Sequence, residues 1–361
     1  MSNLKINYLK LDNLKLYIFD DDAPIILGGK MLSFDEKNYD NGILRKGTKD
    51  NFTYIYVKNN KEVSKKDLER ILALKIPPMW DYCWISGDPE TEIQVVGHDS
   101  VGRKQYLYTQ AFKDKMVSKR FNNLKLFTEL LPQTLEIINK HQALKPLDKN
   151  KVLSTITKII LLTGIRAGKE FYANKNKTYG ITSLRQKHVK LTEPNKITFS
   201  FVGKKGIKHK HVIKNQDIYN EIYILLDRNK THDKLFVYED PETQKLIKID
   251  EFDLNDYLHE FVHPDIVIKD LRTYTVNYTI ISKLLKTCTK KTMTEKELKK
   301  NVKNAIKETA EFIQHTPTIC KKSYVNPLII DLYMTNYSYF YKNKNNDPGD
   351  ILKEILFKDE K

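Results

Sequence analysis

The rhythm of hydrophobic and polar positions changes once along the chain, near residue 112. Before it, apolar positions come in short aromatic and β-branched runs such as LKLYIFDDD and NFTYIYVKN, parted by turn residues, which is the pattern of strands. One helix interrupts them, VSKKDLERILALK, closed by Ile76-Pro77-Pro78. EIQVVGHDSVGRKQYLYT then sets two alternating runs around Asp99-Ser-Val-Gly102 and predicts a hairpin. After residue 112 apolar positions recur every three and four, in RFNNLKLFTELLPQTLEIINKHQ and in NKVLSTITKIILLTG, the second stopping at Gly164. KITFSFV, GKKG and IKHKHVIK form a second hairpin with a basic turn. Helical spacing returns in KDLRTYTVNYTIISKLLK and KELKKNVKNAIKETAEFI, and NKNNDPGD is a loop before a short surface helix. No internal repeat is present. The expected class is α+β: a small β-rich N-terminal domain, residues 1–112, then a larger, mainly α-helical domain, residues 113–361, carrying a β-hairpin.

Charge narrows the partners. The 361 residues hold 62 Lys and Arg against 46 Asp and Glu, a net +16, with a pI near 9.3. Such a surplus favours a polyanion, nucleic acid before membrane, although a Lys-rich solvated surface has the same composition. Cys83, Cys288 and Cys320 form no CxxC pair and are odd in number, which fits reduced thiols in an intracellular protein. No apolar run approaches the ~18 residues of a membrane span, and the N-terminus alternates and carries charges, unlike a signal peptide. Triplets such as Asn176-Lys-Thr178 are then chance matches in an Asn-rich chain.

Two histidine patterns suggest metal and are set aside. His259-Glu-Phe-Val-His263 matches a zinc-protease motif, but Pro264 biases His263 away from helical geometry and no third ligand stands out. His209 and His211, at strand spacing, read as a solvated strand face. A set of cations is more informative: Arg166 in TGIRAGKE, Lys204 in the turn FVGKKG, Arg272 in KDLRTY, and His315 nine residues before Tyr324. Singly each is bland, and Tyr324 is one of 21 tyrosines. Together they supply what phosphoryl transfer to a tyrosine requires. Arginine forks bind the non-bridging phosphate oxygens, histidine adds a hydrogen bond, and lysine protonates an alcohol leaving group.

The stretches IPPMWDYCWI, GHDSVGRKQYLY, TGIRAGKEFYANKNKTYGITSLRQKHV, FVGKKGIKH, KDLRTYTVNYT and HTPTICKKSYVNP resemble, in order and spacing, the type IB DNA topoisomerases of poxviruses and giant viruses. They span residues 76 to 327, about seventy per cent of the chain. The resemblance implies the topoisomerase IB / tyrosine recombinase fold for the second domain, and a clamp of two domains closing on double-stranded DNA. It implies a monomer without metal or cofactor, found in the virion or in a cytoplasmic viral factory. Tyr324 would attack the scissile phosphate, leaving a 3′-phosphotyrosyl strand and a 5′-hydroxyl. Arg166 and Arg272 would bind the non-bridging oxygens with help from His315, and Lys204 would be the general acid, with Lys205 its rival. Arg103, Gln105, Tyr106, Tyr108, Lys169, Tyr172 and Lys269 would contact DNA. The alternative for the tyrosines is packing under their hairpin.

Tyrosine recombinases share most of this pentad but carry H-x-x-R where this chain has Lys269-Asp-Leu-Arg272. An inactive DNA-binding relative is disfavoured because all five positions hold competent residues. In HTPTICKKSYVNP, Thr316-Pro317 reads as N-cap and first helical residue. A single helix over 315–324 would set His315 and Tyr324 on opposite faces, since each residue turns about 100°. They can share a phosphate only if His315 precedes the helix or the tyrosine segment bends or moves. The sequence therefore predicts a Tyr324 displaced from the pocket in the DNA-free protein.

Overall fold

The computed structural model describes residues 25–27, 30–32, 39–48, 51–100 and 102–358, so the LKLYIFDDD run lies outside the described residues. The chain divides into two compact units, Met1–Lys119 and Arg120–Lys361.

In the first unit, β1 (Ile25–Leu27) and β2 (Lys30–Leu32) form an antiparallel pair. Strands β3 (Ile43–Thr48), β4 (Asn51–Tyr56), β5 (Asp81–Ile85), β6 (Ile93–His98) and β7 (Lys104–Tyr108) form an antiparallel sheet in the order β4-β3-β5-β6-β7. Helix α1 (Lys65–Ala73) fills the β4–β5 connection and is started by Ser64, whose hydroxyl accepts the Asp67 N–H at 3.1 Å. Ile71 of α1 packs with Ile43, Tyr54, Cys83, Ile85 and Val95 on one sheet face, while Leu44, Ile55, Trp84, Ile93 and Val96 pack on the other. With both faces covered, all six residues of β6 are buried, so this strand does not alternate as its sequence suggests. The hairpin after it closes as predicted: Asp99 N–H donates to the Arg103 carbonyl at 2.9 Å, and Gly102 takes φ 76°.

Helix α2 (Gln110–Gln142) starts ten residues before the periodic run that predicts it, because the Thr109 hydroxyl accepts the Phe112 N–H at 3.2 Å and caps the first turn. It carries Pro132 inside without ending there.

The second unit continues with α3 (Lys149–Thr163), α4 (Glu170–Asn176) and the sheet β8 (Val189–Thr192), β9 (Lys196–Val202) and β10 (Lys208–Lys214), ordered β10-β9-β8. Helix α5 (Gln216–Arg228), the pair β11 (Val237–Glu239) and β12 (Leu246–Lys248), and α6 (Glu251–Phe261) follow. The remainder is helical: α7 (Ile268–Lys286), α8 (Glu295–Phe312), α9 (Pro317–Ser323), α10 (Pro327–Thr335), α11 (Tyr337–Lys342) and α12 (Pro348–Leu356). At the centre, α7 packs against α3, α8 and α12 and buries Leu271, Val276, Ile280, Ile281 and Leu284. It also buries Arg272, Thr275 and Asn277, polar groups that a purely structural helix would avoid. The terminal helix α12 is a correction to its reading as a surface element: Ile351, Leu352 and Ile355 are buried. No helix among the described residues is long and apolar enough to cross a membrane.

Gly164 ends α3 in the left-handed region, φ 63°, with its N–H on the Ile160 carbonyl at 2.7 Å. A Cβ there would stand 3.1 Å from Ile313 Cγ2. Gly164→Ala should lower the free energy of unfolding by about 1–2 kcal/mol, the cost of a left-handed L-residue. Urea denaturation of the variant checks this, and an unchanged midpoint contradicts it.

Candidate active site

Arg272 sits in the first turns of α7, 3% exposed, and its guanidinium donates to the Gly164 carbonyl and, at 3.0 Å, to the Ile313 carbonyl. Both acceptors are carbonyls left over at helix ends, where α3 and α8 stop. No carboxylate pairs with it among the described residues, so its charge is held without being cancelled. Burial lowers its pKa to about 10, opposed by Tyr324 and reinforced by Arg166. The guanidinium carbon lies 5.2 Å from the centre of the Tyr324 ring.

Tyr324 is the residue that caps the end of α9, with φ −135° and ψ −40°, and is 8% exposed. Its backbone is clamped from α7: the Asn277 amide donates to the Tyr324 carbonyl at 2.9 Å and accepts the Asn326 N–H at 2.8 Å. Burial opposes ionisation of the phenol, yet the charges of Arg272, Arg166 and Lys269 outweigh it and hold Tyr324 below the ordinary tyrosine value. His315 precedes the N-cap Thr316, outside the helix, and its ring centre is 6.0 Å from that of Tyr324. Both residues thus escape the helical phase that would separate them. The predicted displacement is therefore corrected: Tyr324 lies beside Arg272 and His315 in the protein alone. The Thr316 N–H donates to His315 Nδ1 at 3.0 Å, so the neutral ring carries its proton on Nε2 and offers a donor. Burial, followed by Arg166, Arg272, Lys205 and Lys204, pushes His315 down to about 4, so it is neutral near pH 7.

Arg166 lies in the loop after α3, which is strapped down by Ile181 N–H on its carbonyl at 2.7 Å and Thr182 N–H on that of Ala167 at 2.8 Å. Its charge acts on Arg272, His315 and Tyr324, which places it at the same pocket. Lys204 is exposed on the β9–β10 turn, closed by Gly203 N–H on the Ile207 carbonyl at 2.7 Å, with Lys205 left-handed at φ 65°. Both lysines are near enough to act electrostatically on His315.

The expected DNA-contact residues are placed differently. Lys269 precedes Arg272 by one turn of α7 and acts on Tyr324. Lys169 is the N-cap of α4, and Tyr172 on that helix is 41% exposed with its ring against Phe171. On β7, Tyr106 and Tyr108 are stacked with centres 6.2 Å apart and pack on the cluster around Trp84. Gln105 donates to Asp99 at 3.0 Å, and Arg103 forms an ion pair with the same carboxylate at 2.7 Å.

His209 and His211 are not a solvated face; both are buried, 4% and 5% exposed. The strand's exposed lysines Lys208, Lys210 and Lys214 turn outward and the histidines inward, so the charge pattern at strand period was the available signal. Asn277 was also missed; an asparagine inside the apolar run TVNYTII was its trace. Arg120, whose charge is coupled to Tyr324, was read only as part of a periodic helix. In HEFVH, α6 ends at Phe261, so His263 lies beyond the helix that carries His259. No group of His, Cys, Asp and Glu among the described residues could hold a metal ion.

The described residues bring together a buried tyrosine, arginines, a neutral histidine and a turn lysine, on a helical unit that follows a β-sheet unit. Residues 109–345 match the eukaryotic DNA topoisomerase I catalytic core, and residues 51–99 match the N-terminal domain of bacterial DNA topoisomerase IB. The chain belongs to the type IB DNA topoisomerase family. It is 38% identical over 329 residues to DNA topoisomerase 1B of Acanthamoeba polyphaga mimivirus, covering 90% of this chain and 97% of that protein. DNA topoisomerase 1B of vaccinia virus (strain Copenhagen) is 30% identical over 243 residues, 67% of this chain and 73% of its own length. DNA topoisomerase 1 of Mycosarcoma maydis is 24% identical over 195 residues, 49% of this chain and 19% of its own.

The histidines give a pH test. Burial holds His188 and His211 at about 4 and His209 at about 3, whereas the unfolded rings protonate near 6.5. Because the folded values are lowered, the unfolded chain binds more protons as pH falls. Stability is then lost from about pH 6.5 down to about 4, by at most about 1.4 kcal/mol per pH unit for each ring. Urea midpoints measured from pH 7 to 4.5 should fall steadily, and the His315 imidazole should remain neutral by NMR at pH 5. A flat midpoint, or a His315 that titrates near 6.5, contradicts the assignment.

Proposed function

We propose that this enzyme relaxes supercoiled duplex DNA by cutting one strand through Tyr324, letting the free end rotate, and resealing it. The observation that carries this reading is the lowered phenol of Tyr324 beside an unneutralised Arg272. The Tyr324 oxygen forms a bond to the scissile phosphorus, and the bond from phosphorus to the 5′-oxygen breaks. Arg166 and Arg272 bind the non-bridging oxygens, whose charge grows in the transition state, and His315 donates to one of them from Nε2. Lys204 hands its proton to the departing 5′-oxygen; its place on an exposed turn lets it follow the backbone of the DNA. Resealing is the reverse, with the 5′-hydroxyl attacking the phosphotyrosine and the proton returning to lysine. The phosphotyrosine conserves the bond energy, so no ATP is consumed, and the four cationic or donor groups supply charge stabilisation without a metal.

The catalytic unit carries the topoisomerase IB / tyrosine recombinase fold in this reading, and the protein acts as a monomer in the virion or the viral factory of an infected cell. Arg103, Gln105, Tyr106 and Tyr108 on the first unit, and Lys169, Tyr172 and Lys269 on the second, contact the duplex. Tyr106 and Tyr108 stack on each other and pack on the Trp84 cluster, which fixes the strand that carries Gln105. With a net charge of +16, binding weakens as salt rises.

Relaxation of a plasmid without a recombination site, in EDTA and without ATP, tests the activity. The wild type should relax it without strand exchange and leave a covalent adduct when denatured on labelled duplex. Tyr324→Phe should leave none, and Arg272→Ala should cut the cleavage rate by ~10²–10³-fold. An adduct formed by Tyr324→Phe contradicts the assignment of the nucleophile. Lys204→Ala should slow cleavage by ~10²–10⁴-fold and recover on a duplex whose scissile 5′-oxygen is replaced by sulfur, which leaves without protonation. No recovery removes Lys204 from the acid role.

A further inference from the structure

The paired histidines beneath the catalytic turn take no part in the chemistry just described. His209 on β10 stands directly across from Phe201 on β9, and the two rings stack with centres 4.8 Å apart and 14° between planes. Its Nδ1 is 3.2 Å from His211 Nε2. With both rings neutral, a single proton lies in that contact. The other nitrogen, His209 Nε2, is buried and has no hydrogen-bond partner. It faces the chain at Gly203: a Cβ on that glycine would stand 2.5 Å from Nε2 and 2.6 Å from Cδ2. Gly203 is the residue before Lys204, and its N–H and carbonyl close the turn, the carbonyl accepting the Gly206 N–H at 3.1 Å.

We propose that His209 is a positioning residue for Lys204: locked by Phe201 and His211, its ring is the surface on which Gly203 rests, and so sets where the turn presents the lysine. The requirement runs in both directions. Any side chain at 203 would drive the ring off Phe201, and a smaller side chain at 209 would let the turn sink. A neutral ring also suits the place, because His211, Arg166, Arg272 and His315 all oppose a further positive charge there once burial has done so. A lysine or arginine support would add repulsion inside a pocket already rich in cations, while an imidazole gives bulk and a fixed orientation without charge. The inference rests on Lys204 acting as the general acid.

The test is single-turnover cleavage of two duplexes that differ only in a scissile 5′-oxygen or 5′-sulfur, with thermal unfolding as a check on folding. His209→Ala should slow cleavage of the oxygen substrate by about 10- to 100-fold, the scale of a small misplacement of a catalytic group. It should stay within about threefold of wild type on the sulfur substrate, and add no further slowing to Lys204→Ala. Gly203→Ala, which displaces the ring rather than removing it, should give the same pattern and carries the test if His209→Ala does not fold. Equal slowing on both substrates, or no slowing on either, overturns the positioning role. Lys204→Ala that sulfur fails to rescue ends the general-acid reading separately; a rescued His209→Ala beside it would part the histidine from the lysine and overturn this inference as well.

Discussion

The catalytic unit is organised around one buried positive charge that is solvated by the protein but not neutralised. Removing a guanidinium from water is costly, and a carboxylate partner is the common remedy. Here the partners are the carbonyls of Gly164 and Ile313. Carbonyl dipoles stabilise the cation without cancelling its charge, which the proposed mechanism uses on a phosphate. This arrangement constrains three helices at once, because α3 must end at Gly164, α8 must end near Ile313, and α7 must pass between them. The hydrophobic packing of α7, with five large side chains fully buried along it, offsets what the buried charge costs.

The same charge explains the tyrosine. A phenol taken out of water ordinarily becomes a weaker acid, and Tyr257 and Tyr274 elsewhere in this unit are pushed up by burial. Tyr324 goes the other way because Arg272, Arg166 and Lys269 surround it. His315 contributes by staying uncharged: the Thr316 N–H occupies Nδ1, so the ring is a pure donor toward the pocket. Among the described residues, then, cations and a neutral donor surround Tyr324, the arrangement the proposed attack on a phosphate requires.

Much of this was legible in the sequence. The hairpin at Asp99–Gly102, the glycine stop of α3 and the helical stretches of α7 and α8 follow from turn chemistry and apolar period. The five catalytic candidates stand out as a set because each belongs to a short motif with a chemical task. What was hidden depended on facing and on helix phase. Thr316-Pro317 marks the start of the helix and leaves His315 outside it, but its stop at Ser323, which frees Tyr324 from the helical phase, has no signal in the sequence before Asn326-Pro327. KHKH reads as polar when counted, yet strand alternation sends its lysines out and its histidines in. The small strands β8, β11 and β12 carry too few residues for a period to show, and the buried role of Asn277 is a backbone clamp with no motif of its own.

The central claim is that the pocket is assembled around Tyr324 before DNA binds. A direct measurement is the ring-carbon NMR titration of tyrosine-labelled protein without DNA, with the Tyr324 signal identified by its loss in Tyr324→Phe. The account predicts an apparent pKa below the free-phenol value of about 10 that rises in Arg272→Leu. A Tyr324 that titrates at or above that value in the wild type, unaffected by the arginine, would contradict it.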